Sequence, residues 1–436
     1  MSVVTVEAVK DNKQSDKQPE RPKLSDILGP GLITGASDDD PSGIATYSQA
    51  GAQFGYSLGW TLLLTYPLMC AIQMISAQIG RVTGRGLAGN MRRHFPAPLL
   101  WLLVGLLVVA NTINIGADLG AMAAALGLLL PGPTAVYLVA LAAGTALLEV
   151  FVRYSRFASI LRWLTLSLFA YVATVFVVDV PWASVARGLA FPRVEFSSAY
   201  LTVVVAVFGT TISPYLFFWQ AGEEVEDEKE NPAAKPLIHA PEQAPRQFSR
   251  IQADTLVGMG LSNLVALFIM LTTAATLNAH GVTDIQTSSQ AAQALRPIGG
   301  DFAFAIFAIG IIGTGLLAVP VLAGSAAYAV GEALKWPVGL AQRPERAKAF
   351  YGVIVGATLI GVLLNFVALD PIKALFWSAV INGVTAVPIM VMIMLLGSRR
   401  SVMREFTLGP WLRSLGWLAT AAMAAAAVGM FATWGD

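Results

Sequence analysis

Asp40-Pro41-Ser42-Gly43 interrupts an apolar stretch that runs from about Leu24 to Ala36 and resumes from Ile44 to Trp60. A proline removes a backbone donor and leaves carbonyls without partners, which hydrocarbon cannot satisfy. A broken helix at membrane depth is tolerated only where protein packs around it or where it lines a cavity. An ionisable residue at that depth points by default to function. A kinked helix with an interfacial aspartate would use the same four residues, so the rest of the chain has to decide.

Of 436 residues, 56% are apolar and 13% charged, with a mean hydropathy of +0.64. Soluble proteins carry about 25% charged residues, so the chain reads as an integral membrane protein in contact with a lipid bilayer. A net charge of +1 and the lack of basic clusters among aromatics speak against a nucleic-acid partner. The one cysteine, Cys70, lies in an apolar segment and reads as a small packed hydrophobe. Residues 1–23 are polar and of mixed charge, and read as a disordered cytoplasmic tail. No apolar signal precedes the first span, which would itself direct insertion.

A span needs about 20 mostly apolar residues. Eleven candidates emerge, at 24–53, 57–79, 98–129, 134–151, 158–180, 198–221, 252–278, 301–330, 350–368, 371–396 and 410–433. With the N-terminus inside, 24 of the 28 basic residues fall in cytoplasmic segments; only Arg187, Arg193, Arg296 and Lys373 do not. A miscounted span would invert every later loop, so this distribution predicts a cytoplasmic N-terminus and an extracytoplasmic C-terminus.

Span 6 carries a second interruption, Gly209-Thr210-Thr211-Ile212-Ser213-Pro214-Tyr215. Interrupted segments at corresponding positions of two halves point to a transporter's binding site. Spans 1 and 6 are five apart, an odd number, so the halves enter the membrane in opposite senses. The expected architecture is an all-α polytopic bundle with a 5+5 inverted repeat. Residues 24–397 form its core (repeats at about 24–180 and 198–397), and 398–436 add an eleventh helix.

The two breaks offer only oxygen: Asp40, the hydroxyls of Ser42, Thr210, Thr211 and Ser213, and unwound backbone carbonyls. Hard cations prefer oxygen, whereas thiolate, thioether and imidazole suit later transition metals. One carboxylate cannot strip Mg²⁺, which dehydrates reluctantly. The expectation is a roomy pocket for a partly hydrated ion, with Gly43 and Ser213 leaving the volume, although close helix packing also favours small residues.

Asp38 and Asp39 would lie one turn toward the cytoplasm, drawing cations in or pairing with basic groups. Three adjacent carboxylates cannot all be dry and ionised, so this region should be partly water-accessible. Asp118 in span 3 is either a neighbour of the ion, a proton site or a satisfied buried acid. Asn111 and Asn114 could hydrogen-bond it or face the pathway, and Asn382 in span 10 could line the pathway or join helices. The acidic run Glu223, Glu224, Glu226, Asp227, Glu228 and Glu230 reads as solvated charge, or as a cation-attracting inner mouth or regulatory site. His94, His239 and His280 lie in loops without metal-site spacing. No nucleotide-binding loop, catalytic triad spacing or zinc signature is present, so the chain reads as neither an enzyme nor a cofactor binder.

Gly29-Pro30-Gly31, Asp40-Pro41-Ser42-Gly43 and Ser213-Pro214-Tyr215 together resemble the Nramp family of divalent metal transporters, over most of the chain. The resemblance implies a LeuT-type fold. It also implies that Asp40 is the metal-binding aspartate, with Gly43 at the family's asparagine, Thr210 at its alanine and Ser213 at its methionine. Tyr215 stands at the family's histidine, and Asp118 at an aspartate whose companion glutamate is Ala121 here. Span 9 lacks the arginine that metal–proton symporters often carry. These departures resemble the Nramp-related magnesium transporters and imply Mg²⁺, with Mn²⁺, as cargo, without proton coupling. The implied location is a bacterial inner membrane, with no obligate protein partner. The alternatives are a proton-coupled Mn²⁺/Fe²⁺ symporter and, on the same fold, an organic-solute/cation symporter, which Asp40 disfavours by repelling a substrate carboxylate. A receptor is disfavoured because no loop is long enough for a signalling domain.

Overall fold

The computed structural model describes residues 34, 35, 37–152, 164–192, 194–367 and 370–434. The tail at 1–23, the Gly29-Pro30-Gly31 motif and the arginines at 153, 156, 162 and 193 lie outside the described residues.

The helix α1 (Pro41–Phe54) starts on Pro41 with Asp40 as N-cap and stops at Gly55, whose φ of 57° few other residues would adopt. It is followed by α2 (Gly59–Thr83), a short amphipathic α3 (Leu87–His94), α4 (Ala97–Gly127) and α5 (Thr134–Phe151). Span 5 is represented by α6 (Phe169–Val177), which turns by 117° into α7 (Trp182–Ala190). The second half holds α8 (Ser198–Thr211), α9 (Pro214–Glu230), α10 (Ala244–Thr276), α11 (Ala303–Leu334), α12 (Lys348–Leu364), α13 (Pro371–Ser398) and α14 (Pro410–Ala432).

Among the described residues eight helices are long and apolar enough to span a bilayer. Counting the broken first span, the bent fifth and the 17-residue α12 gives the eleven expected. Both interruptions sit at the expected prolines, with Asp40 before Pro41 and Ile212-Ser213 before Pro214.

The broken helices form the middle of the bundle. α1 packs on α8, α10 and α13, α4 packs on α11 and α13, and α9 packs on α2. Small residues allow the closest crossing: a Cβ on Gly209 would come within 2.7 Å of the Gly383 Cα, so α8 and α13 meet backbone to backbone.

The segments rich in basic residues gather at one end. Arg81 pairs with Asp227 at 2.8 Å, and Leu237 N–H donates to the Arg81 carbonyl at 3.2 Å. Arg399 donates to the His94 carbonyl and Arg404 to the Ile238 carbonyl, both at 3.1 Å. At the opposite end Asn278 donates to the Ala52 carbonyl at 2.8 Å.

Candidate functional site

Pro41 has no N–H to leave unpaired, but the following N–H groups of the first turn of α1 need a cap, and Asp40 supplies it. Its Oδ1 accepts from Gly43 N–H and from the Ser42 hydroxyl, both at 2.6 Å. Asp40 is thus a good N-cap as well as a candidate ion contact. Its second oxygen faces α4, where Asn114 Nδ2 donates to it at 3.2 Å. The same nitrogen donates to Asp118 Oδ2 at 3.0 Å, and Asn114 Oδ1 accepts from Asn382 Nδ2 at 3.0 Å. One asparagine therefore joins α1, α4 and α13. Among the described residues the hydrogen-bonded link from Asp118 to Asp40 runs through it, and the other Asp118 oxygen has no hydrogen-bond partner. Asn111 is not part of this group; it donates to the Leu322 carbonyl and Ser325 hydroxyl, both at 2.8 Å, and fastens α4 to α11.

The second break is closed differently from expectation. Pro214 cannot donate to Thr210, so that turn of α8 would leave carbonyls open. The Ser213 hydroxyl instead donates to Gly209 O at 2.8 Å and lies 2.9 Å from Thr210 O. The carbonyls expected to be free are occupied by a side chain three or four residues on. Thr211 bonds back to Val207 O at 2.8 Å within its own helix. Tyr215 donates to Ser37 O at 3.3 Å, linking the start of α9 to the segment before α1.

Among the described residues the space beside Gly43 is also filled rather than open. A Cβ on Gly43 would meet the Thr210 hydroxyl at 3.2 Å and the Tyr47 ring at 3.3 Å, so the volume opened by a glycine is filled by its neighbours. Asp40, Asn114, Asn382, Thr210 and Ser213 are each at most 1% exposed. Among the described residues, the side chains around Asp40 are packed and buried.

Asp38 and Asp39 also depart from expectation. They are 1% and 7% exposed, and no basic side chain among the described residues pairs with them. Ser262 of α10 takes the place of water, its hydroxyl lying 2.7 Å from Asp38 Oδ2 and 3.0 Å from Asp39 Oδ1. Sequence reasoning passed over Ser262, Gln220 and Thr34. The signal available was that each is a polar residue in an otherwise apolar span. The Thr34 hydroxyl donates to Gln220 Oε1 at 2.5 Å, tying the segment before α1 to α9.

The acidic run after the second break is only partly solvated. Glu224 is buried and ion-paired with Arg250, and Glu226 accepts from the Tyr328 hydroxyl at 2.5 Å and from Leu340 N–H at 2.6 Å. Glu223 lies 3.4 Å from the same hydroxyl, while Asp227 is half-exposed. A helix places successive residues about 100° apart, so a run of acids necessarily faces core, neighbour and solvent in turn. Among the described residues no three carboxylates, imidazoles or thiols are grouped so as to hold a metal ion. Any ion site here depends on neutral oxygens and water beside a carboxylate.

Comparison with known proteins agrees with this architecture. Residues 31–433 match the family profile described as natural resistance-associated macrophage protein-like, or Nramp. A divalent metal cation transporter, MntH, of Klebsiella pneumoniae subsp. pneumoniae is 25% identical over 399 residues, covering 90% of both chains. The MntH of Yersinia pestis strain Pestoides F is 27% identical over 306 residues, 67% of this chain and 69% of that one. Among solved structures, a manganese transporter of Eremococcus coleocola superposes with a TM-score of 0.72 at 17% identity, covering 98% of this chain and 93% of that chain. Mhp1, a nucleobase-cation-symport-1 family transporter, superposes with a TM-score of 0.55 at 16% identity, covering 93% and 90%.

Proposed function

The chain belongs to the Nramp family, and from that premise we propose that it carries Mg²⁺, with Mn²⁺, into the cell by alternating access and without proton coupling. At the coarser level it is a polytopic divalent metal cation transporter, not an enzyme. The observation that carries the finer reading is the set of groups around Asp40. The oxygens gathered there are the Asp40 carboxylate and the Ser42 hydroxyl at the first break and the Ser213 hydroxyl with the Gly209 and Thr210 carbonyls at the second. An all-oxygen set with one carboxylate suits a hard ion that keeps much of its water. In this reading Asp40 contacts the ion. Gly43, Thr210 and Ser213 shape the pocket once the breaks separate, and Ser42, Asp118 and Asn382 support them. Asp38, Asp39, Thr211, Tyr215, Glu223 and Glu224 are assigned to the pathway and its inner side. The membrane is a bacterial inner membrane with the N-terminus inside. A divalent cation gains about 4.6 kcal/mol per 100 mV on moving into a negative cell, so no coupled ion is required.

The test is ion influx into proteoliposomes holding a magnesium dye and a pH dye, for wild type, Asp40→Asn and Asp40→Ala. Asparagine keeps the helix cap and loses the charge. Saturable Mg²⁺ influx without acidification, lost in both variants, is expected. Mn²⁺ influx with acidification and no Mg²⁺ influx would overturn it in favour of metal–proton symport. That second reading draws on the manganese and MntH relatives and on Asp118, whose outer oxygen has no partner.

A further inference from the structure

We propose that the outward face of α7 binds an anionic phospholipid, its phosphate on Arg187, at the end of the bundle where Asn278 meets Ala52. The helix α7 follows the 117° turn from α6, so it does not continue that span. Its inner face is tightly held. Val185 packs with Val175 and Leu271, and a Cβ on Gly188 would fall 2.1 Å from the Tyr56 carbonyl. Ala183, Ala186, Arg187 and Ala190 stand at i, i+3, i+4 and i+7, which is the opposite face. Together with Phe191 and Pro192 they line an open depression of about 550 Å³. A smaller one of about 210 Å³ adjoins it, shares Arg187 and Phe191, and adds Tyr56, Ser57 and Ser184.

Level, charge and shape together select the occupant. Trp182 is 52% exposed and Phe191 72%, and Trp60 on the neighbouring α2 donates to the Tyr200 hydroxyl at 3.3 Å. Trp and Tyr collect where lipid headgroups lie. Arg187 is exposed and has neither an ion pair nor a side-chain hydrogen bond among the described residues. Its planar fork matches the oxygens of a phosphate. The exposed Ser184 hydroxyl, three residues earlier, is a second donor in the adjoining depression. Inorganic phosphate would use these donors alone. The alanine floor and the Phe191 wall are apolar surface that an acyl chain covers and a free anion does not. Helices that lie in the membrane interface combine basic and aromatic residues in this way.

The experiment is native mass spectrometry of the detergent-purified full chain, titrated with dioleoyl-phosphatidylglycerol or dioleoyl-phosphatidylcholine, for wild type, Arg187→Gln, Ala186→Trp and Arg296→Gln. Arg296 is an exposed arginine outside the depression. Wild type should retain the anionic lipid about fivefold better than the zwitterionic one, the size of one basic residue's attraction to an anionic surface. Arg187→Gln should remove that preference, and Arg296→Gln should keep it. Ala186→Trp, which fills the alanine floor and leaves the arginine, should weaken both lipids; should it not fold, Arg187→Gln decides. No preference in wild type, or equal losses in the two arginine variants, would overturn the inference. Displacement of the lipid by inorganic phosphate would also overturn it, leaving an anion site only.

Discussion

Thr34 and Gln220, 186 residues apart in sequence, are joined by a hydrogen bond of 2.5 Å that bridges the segment before the first helix break to the helix after the second. Among the described residues, Tyr215 on Ser37 O is a further polar link between these pieces. Separating the two pieces would break both contacts. Thr34→Val keeps the shape of the side chain and removes the donor. It should raise the alkylation rate of Cys70, the chain's single cysteine, which is buried at 1% exposure on α2. An unchanged maleimide-labelling rate would mean that this link does not hold the closed form.

Gly43 is fixed by its neighbours rather than by its backbone. Because a Cβ would press on the Thr210 hydroxyl and the Tyr47 ring at 3.2 and 3.3 Å, Gly43→Asn should destabilise the closed form by about 1–3 kcal/mol, the usual cost of overpacking. Adding Thr210→Ala should recover part of the loss. Thermal unfolding in detergent, followed by size-exclusion chromatography, reads both effects. Equal stability of the single and double variants would show that the crowding lies elsewhere.

Much of the fold was legible because prolines and apolar runs act locally. Pro41 and Pro214 mark both breaks, and the one-sided distribution of basic loops agrees with the number of spans. The site was less legible because its contacts are non-local and its conformation is closed. Nothing near Asp40 in sequence shows that Asn114, 74 residues on, shares its second oxygen. Nor does the sequence show that Ser213 turns back on its own helix, since a hydroxyl before a proline can equally face outward. The acidic run misled for a related reason: composition suggests solvation, but helical phase delivers Glu224 to Arg250 in the interior.

That pair gives a direct contrast between attraction and structure. Glu224 is fully buried, so Arg250→Ala would leave a charge without compensation, at a cost of about 3–5 kcal/mol. Arg250→Ala with Glu224→Leu should restore most of the stability, since apolar replacement of a buried pair is often neutral. Were Glu224 instead a cation-attracting residue, the double variant would be stable but slow, with Mg²⁺ influx losing its dependence on ionic strength. Thermal stability and salt-dependent influx on the same preparations separate the two outcomes.

Ser213 offers the sharpest test of cargo. Its hydroxyl serves the Gly209 carbonyl and the Thr210 carbonyl, the latter of which Pro214 cannot serve. Ser213→Met would remove that donor and place a thioether at the break, two changes that act in opposite directions on a hard ion. The freed carbonyls are oxygen ligands, but the sulfur is soft, favours later transition metals and fills volume that a hydrated ion needs. If volume and softness dominate, Mg²⁺ influx should fall by about tenfold or more relative to Mn²⁺, on the scale of changes close to a metal. If the freed carbonyls dominate, Mg²⁺ and Ca²⁺ influx should both rise, and the hydroxyl acts as a plug on the pocket rather than as part of its lining. Parallel influx assays with Mg²⁺, Ca²⁺ and Mn²⁺ on this one variant distinguish the two, and Ser213→Ala, which frees the carbonyls without adding sulfur, assigns the change to one cause.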